Sequence, residues 1–207
     1  MKKANILALS AAVAGILVSN ASFAGVTANV GVTSNYVWRG VTLSNEGPAV
    51  FGGVDYSHDS GAYAGVWQSS EGFTDSGETD VYVGYSGEAG SISYDVGYLM
   101  YMYPQDQNIP DVDYDEIYFS VGYDFVSFFY ASSSDVETDY MSLTFEYDKF
   151  SFVYGDYAYD LTPANDYSHY DLSAALTDEL SITYSKNDTT GDDDGRLFIT
   201  YGLEFEL

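Results

Sequence analysis

Cysteine is absent from the chain, so no disulfide framework, thiolate nucleophile or thiolate metal centre is available to it. Basic residues are almost as scarce: six Lys and Arg stand against 32 Asp and Glu. Phosphate backbones are bound by clustered Lys and Arg, so a nucleic-acid partner is not expected. There are only two histidines, and no Gly-x-Ser-x-Gly or phosphate-binding glycine loop occurs. His169, with Asp166 and Asp171 close in sequence, could form an Asp–His pair, but nothing completes a catalytic site and no enzyme is expected. Long apolar runs are missing too. Beyond the first two dozen residues no segment nears the 18 or so consecutive apolar residues of a membrane helix.

The N-terminus is the exception that defines processing. Lys2 and Lys3 precede an apolar run over 6–18, and Ser22-Phe23-Ala24 has the small-x-small form of a cleavage site. The run is too short to span a bilayer, so 1–24 is expected to be an export signal and 25–207 the mature domain. Removing Lys2 and Lys3 leaves Arg39, Lys149, Lys186 and Arg196 as the only basic residues and takes the formal charge from −26 to −28. High acidity with few aromatics would mean disorder, but 22 Tyr, 12 Phe and 2 Trp argue for strands instead. An exported chain without cysteine must be held together by its sheet ladder.

What fills the mature chain is two-residue alternation. Twelve strand-like segments are predicted, near 26–38, 48–58, 62–69, 79–86, 91–103, 115–124, 128–131, 140–147, 150–159, 169–176, 180–185 and 197–207. Along 91–103, Ile92, Tyr94, Val96, Tyr98, Met100 and Met102 alternate with Ser93, Asp95 and Gly97. In 62–69 and 150–159 the facing is ambiguous. Connections alternate short and long, and the long ones hold most of the proline, asparagine and clustered acid. An even number of strands, apolar faces almost free of charge, and this rhythm predict an all-β fold: an antiparallel up-and-down transmembrane β-barrel of about 12 strands, in the outer membrane of a Gram-negative bacterium. A soluble secreted β-sandwich also alternates. The length of 91–103 and an alternation running to the last residue favour the barrel.

The stretch Ser34-Asn35-Tyr36-Val37-Trp38-Arg39-Gly40 through Ser44 and Pro48-Ala49 resembles the opening signature of the TorF family, a group of porin-like outer-membrane barrels. The likeness continues in Asp55-Tyr56 and Gly61-x-Tyr63-x-Gly65-x-Trp67, and Asp194-Gly195-Arg196 is similar to that family's motif before the closing strand. The resemblance implies a porin-like barrel. One departure is that the chain closes on Leu207, where such barrels usually close on an aromatic residue.

Alternation assigns Asp55, Asp80, Tyr82, Asp95, Glu116, Tyr118, Tyr140, Glu146, Asp171 and Glu204 to the inward face as candidate pore-lining residues. A lumen lined by carboxylates concentrates cations and repels anions, and twelve strands leave little width. The expected function is a narrow passive channel for small neutral or cationic solutes. The alternative is a non-conducting surface barrel with an adhesive or envelope-structural role. Arg39, expected to end the first strand, and Arg196, expected to begin the last, should be neighbours on the extracellular rim. There they pair with Glu46 and the acids 192–194, or hold a carboxylate or phosphate. Asp111, Asp113 and Asp115 have the spacing that opens a calcium loop, but Glu116 and Gly122 stand where that loop needs Gly and Glu. With Asp192, Asp193 and Asp194 they are weak metal candidates, for loose Ca²⁺ or Mg²⁺ bridging at most. No other cofactor is expected. The expected partners are outer-membrane lipid, lipopolysaccharide and small solutes, and the expected state is a monomer.

Overall fold

The computed structural model describes residues 24–72, 77–103, 113–189 and 194–207. The expected export signal therefore lies outside the described residues, apart from Ala24. Among the described residues fourteen strands form. Twelve of them close into an antiparallel barrel: β1 (Gly25–Thr33), β4 (Ala49–Ser57), β5 (Ala62–Ser69), β6 (Glu78–Ala89), β7 (Ile92–Met102), β8 (Tyr114–Tyr123), β9 (Val126–Ser133), β10 (Thr138–Tyr147), β11 (Phe150–Tyr159), β12 (Tyr167–Ala175), β13 (Leu180–Asn187) and β14 (Arg196–Glu206). The other two, β2 (Val37–Trp38) and β3 (Val41–Thr42), pair only with each other. Each barrel strand pairs with its sequence neighbours, and β1 closes the ring by pairing with both β4 and β14.

The faces are the reverse of those in a soluble sandwich. Val83 is 54% exposed, Ile117 64% and Leu172 53%, all on the outer wall. On the inner face Thr33, Ser69, Glu78, Glu116, His169, Thr183 and Thr200 are buried. Polar inside and apolar outside is the arrangement lipid requires, because only a closed ladder leaves no unpaired backbone group in hydrocarbon. Among the described residues no helix is long and apolar enough to cross a membrane. The two strands of ambiguous facing are settled: Tyr63, Gly65, Trp67 and Ser69 of β5, and Val153, Gly155 and Tyr157 of β11, point inward.

Tight turns after β4, β6, β8 and β10 lie at the end that holds both termini, where Gly61, Gly90, Asp124 and Asp148 take positive φ. The longer connections lie at the opposite end. Inside, three tyrosine rings lie over directly paired glycines: Tyr82 over Gly65, Tyr63 over Gly84 and Tyr118 over Gly97. A side chain at any of these glycines would run into the ring.

The first strand departs from expectation. It ends at Thr33, not at 38. The Thr33 hydroxyl donates to the Asn35 carbonyl at 2.8 Å, and the Tyr36 amide donates to Ser44 Oγ at 2.8 Å. Both bonds turn the chain inward. Arg39 (φ 47°) and Gly40 (φ 82°) then make the tip of the β2–β3 hairpin, in which Val37 pairs with Thr42 and Trp38 with Val41.

The outer wall yields a direct test. Leu143, mid-strand on β10, is 41% exposed. Leu143→Arg should cost about 2–4 kcal/mol of barrel stability in vesicles, by urea unfolding, as expected for a charge facing the bilayer interior. No loss would mean that this wall does not face lipid.

Candidate functional site

The hairpin is the centre of the site because it crosses the lumen. Tyr36, at its base, is fully buried; its hydroxyl donates to Glu78 on β6, and its ring meets Trp67 of β5 edge-on at 6.0 Å. Trp38 packs between Tyr101 of β7 and Tyr157 of β11, at 6.0 and 5.8 Å between ring centroids. At the tip, the Gly40 carbonyl accepts from Asn187 Nδ2 of β13 at 2.7 Å. A Cβ at Gly40 would lie 2.5 Å from His169 Cβ, so only glycine lets the tip approach β12 this closely.

Arg39 locks this arrangement. Its Nη1 and Nη2 donate to Glu116 Oε1 and Oε2, each at 2.7 Å, in the fork geometry that makes such pairs strong and specific. The guanidinium carbon lies 4.3 Å from the Trp38 ring centroid and 4.1 Å from that of Tyr140, so the cation is stacked as well as paired. Burial opposes the Arg39 charge, and the adjoining Glu116 carboxylate favours it.

This corrects the expected rim pair. Arg39 does not end a strand and is not a rim neighbour of Arg196: it is 7% exposed, inside the barrel, and bound to β8. The physical reason is the early end of β1, which carries residue 39 inward. Arg196 does open β14, and its Nε lies 3.8 Å from Glu46 Oε1. Asp192 and Asp193 lie outside the described residues.

The ten candidate lining residues all sit on inward positions of the strands. Three of their seven acids meet neutral hydroxyls. Tyr82 donates to Asp55, and Tyr63 donates to Asp95 at 2.7 Å while bonding to Tyr118. Tyr101 donates to Glu116 at 3.1 Å. A tyrosine hydroxyl satisfies a carboxylate without itself carrying a compensating charge. Asp171 lies 3.3 Å from His169 Nδ1, while His169 Nε2 meets the Tyr140 hydroxyl at 2.9 Å. Asp166 is not part of this group; it accepts from the Tyr159 amide. Glu146 and Glu204 are exposed near the tight-turn end, where Glu88 and Ser93 are exposed too.

Several residues escaped the sequence pattern. Glu78 shares the inward face of β6 with Asp80 and was findable from its parity. On the opposite arc, Ser173 and Thr183 bond at 3.0 Å and Thr200 and Thr33 at 3.1 Å, forming a wall of small hydroxyls facing the tyrosine-rich arc. Asn187, which holds the hairpin tip, carried no local signal. Of the metal candidates, Asp113 accepts from the Tyr103 amide and Asp115 accepts from Tyr98 on the outer wall, while Asp111 lies outside the described residues. Among the described residues no group of three acids or histidines could hold a metal ion.

These features define a transmembrane β-barrel whose first long connection folds into its own lumen. The chain belongs to the family described as "Bacterial protein of unknown function (Gcw_chp)", whose model matches residues 18–171. That description carries neither the TorF name nor an activity. No curated protein matches. The fold is similar to that of the KdgM porin, with a TM-score of 0.54 and 8% identity over 87% of this chain and 99% of that one. It is also similar to the KdgM porin in complex with disordered oligogalacturonate, with a TM-score of 0.52 and 8% identity over 88% and 99%. Omp33 of Acinetobacter baumannii matches with a TM-score of 0.48 and 9% identity, over 89% of this chain and 98% of that one. At these identities the likeness is one of fold.

The buried pair generates its own prediction. Arg39→Met alone should destabilise the barrel by about 3–5 kcal/mol, because Glu116 is left buried without its partner. Adding Glu116→Leu should recover much of that loss. Strictly additive losses in urea unfolding would show that the two side chains are not coupled.

Proposed function

We propose that this protein is an outer-membrane channel that passes small neutral or cationic solutes by diffusion through a narrow lumen beside the inserted hairpin. The observation that carries the proposal is the inner wall itself: carboxylates on β4, β6, β7, β8, β10, β12 and β14, four of them (Asp55, Glu78, Asp95 and Glu116) met by tyrosine hydroxyls, with Arg39 and Arg196 the only arginines or lysines at inward sites among the described residues. Such a wall attracts cations and repels anions. The fold shared with the KdgM porin and the resemblance to the TorF family support a porin-like role. The KdgM complex contains oligogalacturonate, a polyanion, and this lumen would repel one.

A second reading is favoured by one feature. The hairpin touches β6, β7, β8, β11 and β13 inside the end of the barrel that bears the long connections. If it seals that end, the barrel does not conduct, and its role is adhesive or structural, exercised at the surface with lipopolysaccharide and the acidic loops.

Planar-bilayer recordings separate the two. The channel reading expects discrete, cation-selective steps from the native protein in a KCl gradient, and larger steps after residues 36–43 are replaced by a short Gly-Ser link. Silence from a folded, heat-modifiable native barrel that conducts only after this replacement would favour the sealed reading. Anion preference would overturn the charge argument.

A further inference from the structure

One buried carboxylate in the lumen has an oxygen with no hydrogen-bond partner among the described residues. Glu78 and Asp80 stand two residues apart on the inward face of β6, and Glu116 lies on β8. Tyr101, between them on β7, is the register partner of Asp80 and donates to Glu116. Glu116 is occupied by Arg39 and Tyr101, and Glu78 by the hydroxyls of Tyr36 and Tyr103. Asp80 is 6% exposed, and its Oδ1 is buried without a hydrogen-bond partner. Its other register partner is the buried Trp67, so it is flanked by aromatic side chains on both sides.

Positive charge here is short by the same count. Arg39 serves Glu116. Of the other described basic residues, Lys149 lies in the turn after β10, Lys186 is on the outer face of β13, and Arg196 is beside Glu46. A buried carboxylate left ionised without a counter-charge is costly by several kcal/mol. A bound cation removes that cost. The absence of any three-group metal cluster among the described residues argues against a chelated divalent ion. What fits is a single charge held by one carboxylate in a field set by two others, one inward position below the residue that anchors Tyr36.

We propose that Asp80 forms a monovalent-cation subsite in the lumen, taking an alkali-metal ion or a primary ammonium group, with Glu78 and Glu116 contributing field and not ligation. As the ion-selecting element of a channel, Asp80 rests on the function proposed above. As a binding site it can be tested without current.

The first measurement is thermal unfolding of the folded barrel in detergent at constant ionic strength, with choline chloride exchanged for KCl or NaCl. Choline is too bulky to reach a buried carboxylate. The native protein should gain stability in K⁺ or Na⁺, and Asp80→Asn should not respond. No cation dependence in the native protein would overturn the site, as a protonated Asp80 would give. Equal dependence in both proteins would also overturn it, by placing the ion elsewhere. Because the native protein alone can refute the site, a variant that fails to fold does not protect it. In bilayers, Asp80→Asn should raise the half-saturating K⁺ activity about tenfold and lower cation preference. Native bilayers that stay silent while stability depends on K⁺ and on Asp80 would remove the channel and leave the site. A conducting variant with unchanged selectivity and stability would remove the site and leave the channel.

Discussion

Closure of the ladder between the first and last strands is the constraint on which everything else rests. β1 pairs with β14 from Thr27 opposite Glu206 to Thr33 opposite Thr200, and with β4 along its other edge. Without that seam two strand edges would face hydrocarbon with unpaired amides and carbonyls, each costing several kcal/mol. Once the ring is closed, the two-residue period of every strand divides side chains into a lipid set and a lumen set. Val30 and Leu203 meet on the outside of the seam, and Thr33 and Thr200 bond on the inside.

Closure also creates the problem that the hairpin solves. A ring of this size encloses more space than its small inward residues fill, especially along the arc of Ser173, Thr183, Ser185 and Thr200. Tyrosines seated over glycines occupy part of the opposite arc. The remaining volume at the long-connection end takes the β2–β3 hairpin, and the cost of burying Arg39 there is met by a two-pronged bond to Glu116 and by the faces of Trp38 and Tyr140. One cation is thus committed to structure. The carboxylates it does not reach set the electrostatic character of the lumen, and Asp80 is the one least provided for.

Much of the fold was legible because lipid enforces alternation. The segments 62–69 and 150–159 match β5 and β11 residue for residue, and parity alone put Asp55, Asp95, Glu116, Glu146 and Glu204 on the inner face. The facing of β5 and β11 was not legible because tyrosine and phenylalanine suit a lipid interface as well as a crowded lumen. Phe152 and Tyr154 point out where Val153 and Tyr157 point in. The hairpin was misjudged for a related reason. Val32, Tyr36 and Trp38 keep the parity of one strand, yet the chain turns at Ser34 and Asn35, and an inserted hairpin needs apolar alternation of its own. The Arg39–Glu116 pair spans 77 residues of sequence, and no local pattern announces a contact made only when the barrel closes.

The measurement that bears most directly on the inserted hairpin uses the scarcity of tryptophan. With Trp67→Phe, Trp38 is the only indole left, placed between Tyr101 and Tyr157. Acrylamide quenching of its emission should be weak in the folded barrel and rise severalfold when Arg39→Ala is added. Quenching in the folded Trp67→Phe protein as strong as that of the urea-unfolded chain would place Trp38 in water, and would contradict a hairpin docked inside the lumen.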